Sequence, residues 1–71
     1  MFKVYKKIVD GGFITFSEGD RIDPSRYELT DKETEADFEV YSDGSATISE
    51  LTVNFSDLEI IYGLAHEVLN G

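Results

Sequence analysis

Phe55-Ser56-Asp57-Leu58-Glu59-Ile60-Ile61-Tyr62-Gly63-Leu64-Ala65-His66-Glu67-Val68-Leu69-Asn70-Gly71 decides the fold, because it reads as helix from both ends and along its length. Ser56 predicts an N-cap, and Glu59 three residues later completes a capping box. Phe55 ahead of that cap and Ile60 at the fourth helical position predict a hydrophobic staple. Asp57 and Glu59 sit at the positive end of the helix dipole. Leu58, Ile61, Tyr62, Ala65, Val68 and Leu69 follow the i, i+3, i+4 spacing of one apolar face, and Asn70-Gly71 is a stop. Gly63 falls mid-helix, where it costs about 1 kcal/mol relative to alanine.

A helix with one apolar face needs a surface to bury it, and the preceding residues alternate as strands. In residues 2–9, Phe2, Val4 and Ile8 share a face with Lys3, Tyr5 and Lys7 opposite. Asp10-Gly11-Gly12 signals a tight turn, and residues 13–16 return as a second strand. Residues 18–36 are polar, hold Pro24 and read as a long connection, with one turn of helix starting at Asp23-Pro24. Residues 37–41 alternate with Phe38 and Val40 inward. Ser42-Asp43-Gly44-Ser45 is a hairpin turn, and residues 46–53 form a fourth strand whose phase slips near Glu50. The expectation is one α+β domain over residues 1–71: an antiparallel sheet of two β-hairpins with a C-terminal helix packed on one face. Its expected core is Phe2, Val4, Ile8, Ile14, Phe16, Phe38, Val40, Ile48, Leu51, Val53, Ile61, Ala65 and Val68.

A chain of 71 residues buries about 60% of its unfolded surface, so its stability margin is narrow. Folds of this size lean on disulfides, a metal or a second copy of themselves. Cysteine is absent and His66 is the one histidine, which excludes disulfides and a Cys/His metal site. An efficient core or a homodimer is left, and no cofactor is expected. Residues 1–9 carry three lysines and no continuous apolar run, so neither a signal peptide nor a membrane span is expected, and the expected location is the cytoplasm.

Fifteen acids against six bases give a net charge of −9, and its distribution is uneven. Residues 1–32 hold all the lysines and arginines and are neutral as a group, whereas residues 33–71 hold nine acids and no base. Direct nucleic-acid binding is disfavoured, because phosphate contacts need cations. The expected partner is instead a basic protein, such as an enzyme that itself binds DNA or RNA. No nucleophile elbow, phosphate loop or metal-binding helix motif occurs, and a catalytic role is not expected. His66 reads as a solvated helix residue.

Glu39 and Tyr41 on a strand, Glu50 at a strand end, and Asp57, Leu58, Glu59, Tyr62 and Glu67 on the helix form the candidate partner-binding set. Carboxylates spaced by strand and helix geometry, with tyrosines among them, have the pattern of a phosphate backbone. Residues 56–63, followed by Ala65 and Glu67, resemble the helix of the short DNA-mimicking inhibitors of uracil-DNA glycosylase carried by certain bacteriophages. That family also places an acidic hairpin with an Asp-Gly turn before the helix, as residues 37–53 do here. Glu59 and Tyr62 match its Phe-Glu-x-x-Tyr contact pattern, with Leu58 in place of the phenylalanine. The resemblance covers the second half of the chain; the first 36 residues have no counterpart in it. It implies a dimer whose acidic surface, with an apolar groove, occupies the enzyme's DNA-binding site. A CRISPR-type defence nuclease is the broader target class.

A second resemblance points elsewhere. Phe16-Ser17-Glu18-Gly19-Asp20-Arg21-Ile22 and Phe55-Ser56-Asp57-Leu58-Glu59-Ile60-Ile61 are similar to the first and last strands of small SH3-like barrels. It implies a generic protein-interaction module in which Leu58 to Ile61 is strand.

Overall fold

In a computed structural model describing residues 1–49 and 52–71, the elements run β1 (Phe2–Lys7), β2 (Phe13–Phe16), β3 (Tyr27–Thr34), β4 (Phe38–Val40), β5 (Ala46–Ile48) and α1 (Phe55–Asn70). The strands pair antiparallel in the order β3-β1-β2-β4-β5, and α1 packs on one face. The class is α+β, as the sequence predicts. Phe55 to Ile61 is helical, so the strand that the SH3-like resemblance requires there does not form.

The β1–β2 hairpin settles which residues face the helix. The Lys7 N–H donates to the Gly12 carbonyl at 2.7 Å and the Gly11 N–H to the Lys7 carbonyl at 2.8 Å, closing a loop over residues 8–11. Gly11 turns the chain with φ +78°, and the Gly12 N–H donates to the Asp10 side chain at 2.9 Å. A loop with an even number of residues sets Lys6 against Phe13 and Val4 against Thr15. Phe13 and Thr15 therefore share Val4's face and are buried. Ile14 and Phe16, expected in the core, lie on the opposite face. There the Phe16 ring meets Tyr5 and Tyr27 edge-on, with centroids 5.4 Å and 5.0 Å away. Ile8, also expected inside, stands in the loop and is half exposed.

The expected long connection is half strand. Arg26 and Tyr27 N–H groups donate to the Asp23 carbonyl, which forms the turn expected at Pro24. β3 then pairs with β1 along the sheet's edge, setting Glu28 against Lys6 and Glu33 against Lys3. Its register slips by two residues opposite Val4, where the Thr30 hydroxyl donates to the Val4 carbonyl at 2.7 Å in place of a backbone donor. Polar residues and a bulge are what an exposed edge needs to resist pairing with other chains, which is why the segment reads as loop.

β4 and β5 form the second hairpin around Gly44, whose φ is +86°. Phe38 and Val40 point inward as expected, and β5 ends at Ile48 rather than running to Val53. The phase slip expected near Glu50, and the core position expected for Leu51, lie outside the described residues.

Asn54, not Ser56, caps α1: its side chain accepts from the Asp57 N–H at 2.8 Å. Phe55 is consequently the first helical residue and is 76% exposed, so the expected staple with Ile60 is absent. The helix meets the sheet through Ile61 and Leu64, which join Val4, Phe13, Phe38 and Val40 in the core, with Ile48, Ile60, Ala65 and Val68 packed around them. Tyr62 and Leu69, placed on the apolar face by their spacing, are instead exposed.

Candidate partner-binding surface

Seven of the eight expected contact residues lie among the described residues, and those seven do not form one surface. Glu39 and Tyr41 lie on the sheet face away from α1, since their neighbours Phe38 and Val40 enter the core. Lys7 crosses Gly12 to reach them: its Nζ stands 2.7 Å from Glu39 Oε2 and 5.2 Å from the centre of the Tyr41 ring. The Tyr41 hydroxyl is shared with the Thr47 hydroxyl at 2.8 Å. Glu39 is thus neutralised by an ion pair within the domain, supported by a cation–π contact.

Asp57 is interior, 4% exposed. Its Oδ2 accepts from the N–H groups of Glu35 and Ala36, both at 3.0 Å. Asn54 adds a bond from its Nδ2 to Glu35 Oε2 at 3.0 Å. Together these clip the turn between β3 and β4 to the helix N-terminus, where a carboxylate is favoured by the dipole. A side chain committed to two backbone donors is not a contact residue, and Asp57 leaves the set for that reason. Glu50 lies outside the described residues.

Leu58, Glu59, Tyr62 and Glu67 remain on α1. Glu59 and Tyr62 are exposed one helical turn apart, with Leu58 half-buried beside them. Glu67 stands on the other flank, lining a shallow cleft with Lys32, Gly63 and Asn70. The last turn carries no base, so nothing on the helix itself offsets its acids. Two of the other acids after Lys32 accept hydrogen bonds from neighbouring hydroxyls. Asp37 accepts from the Thr15 hydroxyl, and Asp43 accepts from the Ser45 hydroxyl at 2.6 Å. On the helix the exposed carboxylates are Glu59 and Glu67, and Glu33, Glu35 and Asp43 are exposed elsewhere after Lys32.

Phe55 and Leu69 escaped the sequence reading as surface residues, at 76% and 65% exposure. Their spacing held the signal: with Tyr62 they recur every seventh residue, on a stripe offset from the one that faces the sheet. Among the described residues, no cluster of acidic, histidine or cysteine side chains is arranged to hold a metal ion, and no helix is long and apolar enough to cross a membrane. No protein-family model, curated protein or solved structure matches the chain.

Proposed function

We propose that the chain is a non-enzymatic, phage-type inhibitor acting in the host cytoplasm, which presents an acidic helix to the nucleic-acid groove of a basic enzyme. The observation that carries this reading is the outer surface of α1, where Glu59 and Tyr62 project beside Leu58 on a helix with no lysine or arginine. Inhibition is competitive: carboxylates engage the arginines and lysines that ordinarily hold phosphates, and Tyr62 and Leu58 add apolar area where the substrate offers bases and sugars. Uracil-DNA glycosylase is the named candidate, from the resemblance of residues 56–67, and a CRISPR-type nuclease is the broader class. Glu39 and Tyr41, locked to Lys7 on the other side of the sheet, serve the scaffold in this reading.

The test is a titration of the protein into a uracil-excision assay run with a bacterial uracil-DNA glycosylase. Excision is expected to stop as the inhibitor saturates the enzyme, with Glu59→Lys and Tyr62→Ala each weakening inhibition by about tenfold or more. A pull-down from bacterial lysate covers the other enzymes. If the glycosylase is unaffected and both variants capture every protein that the wild type captures, the helix is not the working surface.

A further inference from the structure

We propose that the cleft between β3 and the flank of α1 receives an extended, cationic segment of the partner, added as a strand to the outer edge of the sheet. This rests on the reading of a basic partner above and names the shape of what the partner brings. Three features meet there. Among the described residues β3 pairs with β1 alone, which leaves the outer edge of Tyr27–Thr34 without a strand beside it. Next to that edge, Lys32 of β3 faces Gly63, Leu64, Glu67 and Asn70 of α1 across a cleft of about 470 Å³, a volume in the range that holds a ligand. Gly63, Glu67 and Asn70 are four and then three residues apart, so the cleft follows the helix for about two turns, roughly 10 Å. Gly63 is the third feature: a methyl there would meet nothing within 4 Å, so the glycine keeps the cleft open although it costs the helix about 1 kcal/mol. A strand laid beside β3 sets its backbone against the edge and alternate side chains into the cleft. A helix would not serve, because its N–H and C=O groups are spent within itself. The bulge opposite Val4 limits the pairing to a few bonds, so the cleft and the charges supply the rest.

Charge selects among extended occupants. β3 carries Glu28, Asp31 and Glu33, and Glu67 stands on the opposite wall. Glu28 and Glu33 lie opposite Lys6 and Lys3 without closing an ion pair. Lys32, the one base in the cleft, has its ammonium group 3.9 Å from Asp31. A second copy would set β3 against β3, acid against acid, and like charges facing each other across strands are destabilising. The acids that keep like edges apart attract a strand that carries lysines.

The probe is a capped synthetic peptide of about eight residues alternating valine and lysine. Its control is the same peptide N-methylated at every backbone amide, which keeps charge and side chains and removes the donors a strand needs. Both are titrated calorimetrically into the full chain at about 0.15 M salt, where long-range attraction is screened. The unmethylated peptide is expected to bind about tenfold tighter and to protect amide protons of β3 from hydrogen exchange. Gly63→Leu fills the cleft at a position with room for it, and its fold is checked by circular dichroism. That variant is expected to abolish the difference between the peptides, and Glu67→Gln to weaken the unmethylated one severalfold. Equal binding of the two peptides, or tighter binding with no added protection in β3, overturns the edge as a strand site and leaves the inhibitor reading to its own assay. A difference that survives in folded Gly63→Leu overturns the cleft's part in it. A dimer in sedimentation velocity whose β3 amides are already protected also overturns the proposal, because a second copy then occupies the edge.

Discussion

Gly12 lies where a methyl group would collide with the Val40 carbonyl oxygen and stand 2.8 Å from Lys7 Cε. The missing side chain is what lets the Lys7 stem pass over the hairpin to Glu39. Gly12→Ala is therefore expected to destabilise by about 1–3 kcal/mol, since backbone on one side leaves the added carbon nowhere to go. For a domain of this size that lowers the melting temperature by roughly 4–8 °C per kcal/mol, which a thermal melt resolves. Gly63 takes the opposite sign. It is helical, with nothing within 4 Å of the place a methyl would occupy, so Gly63→Ala is expected to stabilise by about 1 kcal/mol in the same experiment. Asp57 is the third residue whose surroundings decide its effect. Asp57→Ala strands the N–H groups of Glu35 and Ala36, at an expected cost of about 2–3 kcal/mol in urea unfolding. Asp57→Asn keeps an acceptor and is expected to lose less. An alanine variant unfolding at the wild-type midpoint would show the clip to be idle.

Among the elements, those with a strong period were legible and those shaped by an edge or a cap were not. β1, β4 and α1 stand where alternation and helical spacing place them, because each buries one face. β3 has no such face: it pairs on one side only and is polar for protection, so its residues carry the composition of a loop. The helix start was two residues out because Asn54 and Ser56 both make good caps. Tertiary contact chose between them, through the bonds of Asn54 and Asp57 to the turn before β4. The face of β2 was legible in principle, since a hairpin loop of even length sets Phe13 on the side of Val4. The outward position of Glu59 was legible from the helical spacing, whereas the exposure of Tyr62 was not, and the burial of Asp57 depends on a segment 21 and 22 residues away. The β4–β5 turn yields a pH prediction. The Ser45 hydroxyl and N–H both donate to the Asp43 carboxylate and hold it below its ordinary 3.8. Because the folded carboxyl is the stronger acid, its contribution to stability is complete above the unfolded value and is lost as pH falls through the depressed folded one. Nuclear magnetic resonance titration is expected to place the Asp43 midpoint under 3.8, and Ser45→Ala to move it up towards that value.

Across the whole molecule the charge is segregated, and segregation has a thermodynamic consequence separate from any partner. The bases lie on the strands and loops of the first half, and the acids without a matching base follow from the end of β3 through α1. Internal pairing relieves little of this. Lys7 neutralises Glu39 at 2.7 Å, whereas Lys32 and Asp31, at 3.9 Å, are exposed sequence neighbours whose attraction water screens. A net −9 on 71 residues repels itself in the folded state more than in the expanded one, so it opposes folding. Raising sodium chloride from about 0.01 M to about 0.5 M shortens the screening length from about 30 Å to a few ångströms. The melting temperature is therefore expected to rise over that range. Removing the helix's two exposed charges with Glu59→Gln and Glu67→Gln is expected to raise it at low salt and to flatten its salt dependence. A chain used only as a scaffold gains from those substitutions at no loss. An inhibitor that works through its charge is expected to become more stable and less active together, with association slowed most at low salt, where the lost attraction reached farthest. Melting and inhibition measured on the same two variants separate these cases: stability gained with inhibition unchanged would make the acidity incidental, and contact would then fall to the apolar side chains beside it, Tyr62 and Leu58.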